Sequence, residues 1–489
     1  MREKNKSINQ KDLNSAENFL KKGNYLEALK ILKNLNNKHD HFMIYWYLGH
    51  ACFKLHKYSE AISNIKKSIK IKSKDPLNLN FLGEIYSTIN NYDLAIQTFE
   101  ETLSLEKDNE IAILSLAKIN LNIGETKKAE SYFKILVKKN DKNLSYIYSL
   151  IRINKDNLTE DLIQQIKKTH EELDVQNKLY SKLIQAKKDE YDQKYESEID
   201  NLINAHKIYN STKKKATYQQ YNYISNLLPK FIQKFENINF KSTSKLSPIF
   251  IMGLPRSGTT LTERIIVSGK NPIQSLGETD ALDKVFFSEQ IINNYESDDL
   301  QTQFIFDTND VNVLIDKLLK QYHEQGLTKD NLVFTDKSIS NFLYIDLIQK
   351  IFPKAKFIYC YRNPIANVVG IFRSFLPNVF WSHSLDKIFD IMDIYYKKLD
   401  EIKNNKSINL HIIELEKLAE NPEKVSKVLY NFLGLEWSSD CISNYNNRMI
   451  VKTASNLQVR DKIQKHDLNY TKSYLKIFND LGFNNKWLS

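Results

Sequence analysis

The stretch PIFIMGLPRSGTTLTERIIV, residues 248–267, decides the fold of the C-terminal half of the chain. Its first residues form a short apolar run that predicts a buried strand ending at Gly253, and the residues after Gly258 have the apolar spacing of a helix. A glycine loop between a strand and the start of a helix offers backbone N–H groups and a helix dipole to phosphate oxygens. The stretch therefore predicts an anion site.

This loop is P-loop-like but differs at one position from the nucleotide-hydrolysing pattern, GxxxxGK followed by Ser or Thr. Gly253, Gly258 and Thr260 are in register, whereas Thr259 replaces the lysine that reaches the β- and γ-phosphates. Arg256 supplies a cation inside the loop instead, which suits a 5′-phosphate that carries a different group. A nucleotide kinase or NTPase is therefore disfavoured.

Further strand-like runs follow at residues 332–334, 356–361 and 410–413, with helical patterns between them. Strands that alternate with helices pair in parallel through right-handed crossovers. Residues 246–489 are therefore predicted to form an α/β domain with a parallel sheet.

The N-terminal part contains an internal repeat with a step of 34 residues, seen in Leu48-Gly49, Leu82-Gly83 and Leu116-Ala117. These columns resemble the tetratricopeptide repeat, in which stacked helix pairs bury one continuous core. Residues 1–150 are predicted to form an α-solenoid of about four repeats. Residues 151–245 are predicted to form a helical bridge, with one or two degenerate repeats as an alternative. The concave surface of the array could bind a peptide or another protein, or it could pack against the following domain.

Composition indicates which partners and which cellular compartment to expect. The 489 residues carry 70 Lys and Arg against 59 Asp and Glu, and the net charge of +11 is mostly diffuse lysine, which a solvated helix face explains better than nucleic-acid binding. Three separate cysteines indicate neither a disulfide framework nor a zinc site, and no metal-ligand spacing appears. The N-terminus has no apolar signal region and no run is long enough for a membrane span, so we expect a cytoplasmic protein.

Four segments in order resemble the sulfotransferases, specifically the branch in which tetratricopeptide repeats precede a domain similar to tyrosylprotein sulfotransferase. They are the loop described above, GET at 277–279, DKS at 336–338 with the chain on to Pro364, and TASNLQVR at 453–460. The resemblance implies a three-layer α/β fold after the solenoid. It also implies transfer of a sulfuryl group from 3′-phosphoadenosine 5′-phosphosulfate (PAPS) to the hydroxyl of a protein tyrosine, a carbohydrate or a small molecule.

The resemblance further implies roles for individual residues. Glu278 matches the catalytic base, Lys337 a cation near the leaving oxygen, and Ser455 a hydroxyl donor to the same region. The positions expected to bind the donor nucleotide are Arg256, Ser257, Gly258, Thr259, Thr260, Arg362, Ser374 and Lys472. No metal is expected to take part.

Two positions depart from the family pattern. Gly370 stands where the family has a serine that binds the 3′-phosphate, so Ser374 or Arg373 is needed as a substitute, and Leu415 stands where a tyrosine is common. One missing hydrogen bond to a phosphate would lower nucleotide affinity about ten- to a hundred-fold. The alternative to an enzyme is therefore a repeat scaffold whose C-terminal domain is catalytically decayed.

Overall fold

The structure is a computed structural model of the chain. It describes residues 10–169, 172–236, 242, 244–271, 273–289, 311–328, 332–404, 408–443, 451, 457, 460, 462–465, 467–483 and 486–488. The contacts between residues divide the chain into two compact units, one of Met1–Asn120 with Ala281–Lys329 and the other of Leu121–Asp280 with Asp330–Ser489. The domain boundaries expected near residues 150 and 245 stay predictions.

Helices form the N-terminal half, and successive pairs of them fall on the predicted repeats. Their bounds are α1 (Gln10–Lys21), α2 (Tyr25–Lys38), α3 (Phe42–Lys54), α4 (Tyr58–Ile71), α5 (Pro76–Thr88), α6 (Tyr92–Leu105), α7 (Glu110–Ile123), α8 (Thr126–Lys139), α9 (Leu144–Ile153), α10 (Glu160–Thr169), α11 (Val175–Tyr191), α12 (Tyr195–Thr212), α13 (Lys214–Asn222) and α14 (Leu228–Glu236). The predicted helical repeat region is confirmed.

The repeated glycine column has a packing reason. A Cβ atom built on Gly49 of α3 would lie 2.5 Å from Cδ1 of Ile65 in α4. One repeat later, a Cβ on Gly83 of α5 would lie 2.7 Å from Cζ of Phe99 in α6. Each glycine therefore lets the second helix of its pair place a large side chain directly against the backbone of the first.

Two helices that follow the GET segment in sequence belong to the same unit as the first repeats: α16 (Ala281–Glu289) and α17 (Val311–Glu324). The carboxylate of Glu324 accepts a 2.9 Å hydrogen bond from the backbone N–H of Ser59. Ser59 lies in the first turn of α4, where the N-cap residue Lys57 makes no side-chain cap. Glu324 thus supplies the missing cap to a repeat helix, and its negative charge suits the positive end of the helix dipole.

The described residues contain one five-stranded parallel sheet of order β2-β3-β1-β4-β5. Its strands are β1 (Ile249–Met252), β2 (Gln274–Ser275), β3 (Phe334–Asp336), β4 (Lys356–Tyr361) and β5 (Leu410–Glu414). The predicted parallel sheet is confirmed. The two-residue β2 was not predicted, because so short a strand has no periodicity to detect.

Helices cover both faces of this sheet: α15 (Thr259–Val267), α18 (Ile345–Ile351), α19 (Pro364–Ser374), α20 (Leu385–Asn404), α21 (Leu415–Glu420), α22 (Pro422–Leu433), α23 (Asp440–Ser443) and α24 (Tyr470–Asp480). On one face, Ile251 packs in a cluster with Ile265 of α15 and Tyr430 of α22. On the other, the ring of Tyr359 lies 4.7 Å from that of Phe342. The three-layer prediction is therefore confirmed.

Parallel pairing places the segments that follow β1, β2, β3, β4 and β5 at one edge of the sheet. In open α/β sheets this carboxyl edge is where ligands bind. The glycine loop, GET, DKS and Arg362 are those segments here.

The glycine column predicts that a larger side chain will destabilise the repeats. Gly83→Val should lower the free energy of unfolding by about 1–3 kcal/mol, because the added atoms must displace the Phe99 ring. Urea denaturation followed by circular dichroism measures this. The control Ser104→Val, at an exposed position of α6, should change stability by less than about 0.5 kcal/mol. Equal effects of both variants would contradict the packing explanation.

Candidate functional site

The glycine loop is shaped by two close approaches. Gly253 has φ 144°, and a Cβ there would lie 2.5 Å from the carbonyl oxygen of Cys360. Gly258 has φ 100°, and its Cβ would lie 2.8 Å from Cδ1 of Leu415. Both positions therefore require glycine, for conformation and for space.

The start of α15 offers donors to an anion. Gly258 is the N-cap residue and provides no side-chain cap to the first-turn N–H groups. The hydroxyl of Ser257 is buried, and it has no hydrogen-bond partner among the described residues. A buried hydroxyl without a partner costs about 1–3 kcal/mol, which a bound oxyanion would offset. The loop residues Ser257, Gly258, Thr259 and Thr260 thus fit a phosphate or sulfate group.

Two arginines approach each other beside the loop. Arg256 has a left-handed backbone, with φ 67°, and its carbonyl oxygen accepts a 3.0 Å bond from Nη1 of Arg362. Burial, and then the charges of Arg362 and Arg152, lower the pKa of the Arg256 guanidinium to about 10, so it stays protonated at neutral pH. An anion between such like charges would stabilise both.

Asn367 of α19 also forms a hydrogen bond to this loop. Its side-chain amide is buried and donates a 2.7 Å bond to the carbonyl oxygen of Pro255. Together with the bond from Arg362 to Arg256, this turns two successive loop carbonyls toward the segment that follows β4. Neither carbonyl is then left to repel an anion held by the loop.

A lysine lies between two carboxylates next to α15. Nζ of Lys337 is 3.1 Å from Oε1 of Glu278 and 3.8 Å from Oε2 of Glu263. The side chain of Glu263 is 0% exposed, whereas that of Glu278 is 33% exposed. Burial alone would lower the pKa of Lys337, but the carboxylates of Glu278, Glu263 and Asp336 outweigh it and raise that pKa. The site therefore combines a buried ammonium with one carboxylate that solvent or a substrate can reach.

The GET and DKS segments are locked together by hydrogen bonds. The Asp336 carboxylate accepts bonds from the hydroxyls of Thr279, at 2.9 Å, and Ser338, at 2.7 Å. The backbone N–H of Lys337 donates a 3.0 Å bond to the carbonyl oxygen of Gly277. These contacts hold the backbones of the GET and DKS segments together. They therefore restrict the distance between the side chains of Glu278 and Lys337.

Gly370, which departs from the family pattern, lies against the arginine pair. A Cβ at this position would lie 3.0 Å from Nη1 of Arg362 and 3.3 Å from Cβ of Arg256. The missing side chain therefore leaves the space that Arg362 uses to reach the loop.

The two proposed substitutes for the missing serine are already engaged. The Ser374 hydroxyl donates a 2.6 Å bond to the carbonyl oxygen of Gly370 in its own helix. Arg373 binds both oxygens of Glu198, at 2.5 and 2.8 Å, and lies 3.3 Å from Glu190. A role of Ser374 toward the nucleotide stays a prediction, and in this arrangement its hydroxyl hydrogen points to the helix.

The roles expected for the two remaining residues stay predictions. Lys472 is an exposed residue in the first turn of α24, and Ser455 lies outside the described residues. Within the described part of the chain, no group of His, Cys, Asp or Glu side chains is arranged to hold a metal ion.

Sequence reasoning missed two buried polar residues that support the site. Glu263 accepts bonds from the hydroxyls of Ser275, at 2.9 Å, and Thr335, at 2.7 Å, in addition to its charge contact with Lys337. Asn367 is the other. Asn367 is a lone polar residue between apolar neighbours, a pattern that indicates a buried group in need of a partner but does not identify the partner. Glu263 stands between Thr262 and Arg264, and nothing in that sequence indicates its burial.

Three family models match parts of the chain. Residues 248–439 match the model described as Sulfotransferase family, and residues 79–111 match Tetratricopeptide repeat. Residues 6–68 match the model described as Anaphase-promoting complex, cyclosome, subunit 3. The predicted combination of tetratricopeptide repeats with a sulfotransferase-family domain is confirmed.

Individual relatives are distant. The chain is 28% identical over 250 residues to an uncharacterized protein of Aquifex aeolicus, a match that covers 47% of this chain and 31% of that protein. It is 26% identical over 205 residues to a Caenorhabditis briggsae protein named "Putative protein-tyrosine sulfotransferase", covering 40% of this chain and 69% of that protein. The chain thus spans less than a third of the length of the Aquifex relative.

A solved structure is also similar to part of this chain. It is the sulfotransferase domain from the Synechococcus PCC 7002 olefin synthase, with 16% identity and a TM-score of 0.26. The match covers 48% of this chain and 95% of that domain.

The contacts of Lys337 predict a pH dependence of stability. Its pKa in the folded state is raised above the unfolded value of about 10.4, so the stabilisation is complete below that value and is lost as the pH rises through the folded pKa. Glu263→Gln keeps an oxygen for Ser275 and Thr335 but removes one charge that raises the pKa. The stability of the wild type should therefore fall more steeply than that of Glu263→Gln as the pH rises above about 10.4.

Urea denaturation at a series of alkaline pH values measures this difference. Glu100→Gln, at an exposed position of α6 and in no ion pair with a described residue, serves as the control and should give a difference that does not vary with pH. A difference for Glu263→Gln that is equally constant would contradict the assigned contact.

Proposed function

We propose that this chain, which joins tetratricopeptide repeats to a domain of the sulfotransferase family, is a PAPS-dependent sulfotransferase that transfers a sulfuryl group to an acceptor hydroxyl. The observation that carries the proposal is the 3.1 Å contact between Glu278 and Lys337, in segments at the same sheet edge as the glycine loop. This edge combines a carboxylate, a buried ammonium and an anion site, which are the three elements that sulfuryl transfer needs.

The residues present fit the donor. The first-turn N–H groups of α15 and the unpartnered hydroxyl of Ser257 suit the 5′-phosphosulfate, because both are hydrogen-bond donors. The carbonyls of Pro255 and Arg256 in the same loop already accept bonds from other side chains. Arg362 follows the neighbouring strand β4 and is the candidate for the 3′-phosphate. Arg256 lies between them, and a molecule with two anionic groups would offset the charge of both guanidiniums.

Transfer by in-line displacement assigns one task to each side chain. When bound, PAPS supplies the sulfuryl group: the acceptor oxygen forms a bond to sulfur as the bond from sulfur to the 5′-phosphate oxygen breaks. Glu278 takes the acceptor proton, and Lys337 stabilises the negative charge that develops on the leaving phosphate oxygen. Arg256 and Arg362 hold the nucleotide product, 3′,5′-adenosine bisphosphate, throughout.

The division of roles follows from exposure. Glu278 is partly exposed, so an acceptor hydroxyl can reach it, whereas Lys337 is held charged in a buried position by three carboxylates. Glu263 keeps a negative partner for Lys337 when Glu278 takes up a proton. Ser455 remains the proposed second donor to the leaving oxygen.

A second candidate function is a repeat scaffold with a decayed nucleotide site. One observation favours it: the hydroxyl of Ser374 and the guanidinium of Arg373 are both engaged with protein groups, so neither replaces the serine missing at Gly370. The scaffold and the enzyme differ in whether bound PAPS reacts.

Tetratricopeptide repeats are typical of protein interaction, and we propose that the array positions a protein or peptide acceptor. Carbohydrates and small molecules remain in the acceptor class. Among the described helices, none has the length and apolarity to cross a membrane. A cytoplasmic location is part of this proposal.

Glu278→Gln should lower sulfuryl transfer about 10²–10⁴-fold, because the amide cannot accept the acceptor proton. The experiment supplies ³⁵S-labelled PAPS with a tyrosine peptide, a phenol and a hydroxylated saccharide, and follows label on each acceptor. Binding of 3′,5′-adenosine bisphosphate by the variant should stay close to that of the wild type.

The control for this variant is Glu401→Gln, which makes the same chemical change at an exposed position of α20 and should transfer at the wild-type rate. Undiminished transfer by Glu278→Gln would refute its role as base. A wild type that binds the bisphosphate and transfers no label would favour the scaffold.

A further inference from the structure

Arg152, an exposed arginine near the end of α9, has no task in the proposed reaction. Tyr148 and Arg152 are one helical turn apart and so project from the same face of α9. The ring of Tyr148 lies 5.8 Å from that of Tyr180 in α11, and Tyr180 lies 6.3 Å from Phe375 at the end of α19. This face of α9 therefore packs against α11, and α11 in turn contacts the end of α19, the helix that carries Gly370.

Further bonds hold these helices in place. The backbone N–H of Leu144, at the start of α9, donates a 2.9 Å bond to the side chain of Asn177 in α11. At the other end of α11, Glu190 lies 3.3 Å from Arg373 of α19. The position of Arg152 relative to α19 is thus set by contacts at both ends of α11.

The charges agree with this placement. Arg152 acts on the guanidinium of Arg256, since after burial and Arg362 it is the next cause that lowers the pKa of Arg256. Arg152 forms no ion pair with any residue that the structure describes, whereas Arg373 of α19 is paired with Glu198 and Glu190. Glu190 acts on Arg256 in the opposite direction. A ligand with two anionic groups would offset the like charges of Arg152, Arg256 and Arg362.

We infer that Arg152 is a third arginine of the nucleotide site and binds the 3′-phosphate of the donor together with Arg362. The inference rests on the proposed function. Gly370 leaves the side of Arg362 next to α19 without a side chain. The face of α9 that carries Arg152 also carries Tyr148, which contacts Tyr180, and Tyr180 contacts Phe375 at the end of α19. Arg152 thus makes the contact that a serine at position 370 would otherwise provide.

This assignment gives the helices before the sheet a direct part in cofactor binding. Residues 248–439, the part that matches the sulfotransferase family, do not include Arg152. The donor site is then completed by a residue from the region predicted to bridge the repeats and the α/β domain.

Calorimetric titration of the full chain with two nucleotides tests the inference. The ligands are 3′,5′-adenosine bisphosphate and adenosine 5′-phosphosulfate, which lacks the 3′-phosphate. Arg152→Ala should raise the Kd for the bisphosphate about 10- to 30-fold and leave the Kd for adenosine 5′-phosphosulfate within about twofold. Arg152→Lys, which keeps the charge but loses the planar fork, should give an intermediate Kd for the bisphosphate.

The matched control is Lys155→Ala, which removes an exposed positive charge three residues further along the chain and should leave both Kd values within about twofold. An unchanged midpoint of thermal unfolding shows that Arg152→Ala is folded. An unchanged Kd for the bisphosphate, or an equal loss of affinity for both nucleotides, would overturn the role of Arg152 but not the proposed function. A wild type that binds neither nucleotide would refute the proposed function as well.

Discussion

The hydrogen bond from Arg362 to the carbonyl oxygen of Arg256 is the contact on which the site depends. It joins the loop after β1 to the residue after β4, so it sets the spacing between the glycine loop and Arg362, the two positions proposed to bind the donor. It also holds Arg256 in a left-handed backbone conformation that costs about 1–2 kcal/mol for a residue with a side chain. Gly370 permits the contact, since a Cβ at that position would crowd Arg362. A departure from the family pattern is therefore part of how this chain builds its loop.

A second constraint is electrostatic. Lys337 and Glu263 are buried as charges, which costs several kcal/mol per ion before their mutual attraction is counted. An apolar pair would fill the same space without that cost. In the proposed reaction these buried charges have a task, because they hold an ammonium beside the partly exposed Glu278. The locked GET and DKS backbones keep this geometry in place.

The parts of the fold that could be predicted are those whose contacts have a fixed sequence spacing. Gly253 and Gly258 reveal the loop because strand, turn and helix start are local, and the glycine at 49 and 83 reveals the repeats because Ile65 and Phe99 follow each at the same distance. Glu263, Asn367 and Arg152 could not be assigned, since their partners lie far away in the sequence. Nothing in the sequence around Arg152 indicates a ligand, and its proposed role depends on the packing of α9, α11 and α19.

A crystal structure with 3′,5′-adenosine bisphosphate tests the account of the site most directly. We expect the 5′-phosphate to accept bonds of about 3 Å from the first-turn N–H groups of α15 and from the Ser257 hydroxyl. The 3′-phosphate should lie against Arg362, with Arg152 on its other side. A nucleotide bound elsewhere, or one whose phosphates contact neither the loop nor Arg362, would contradict the claim that this sheet edge is the donor site of a sulfotransferase.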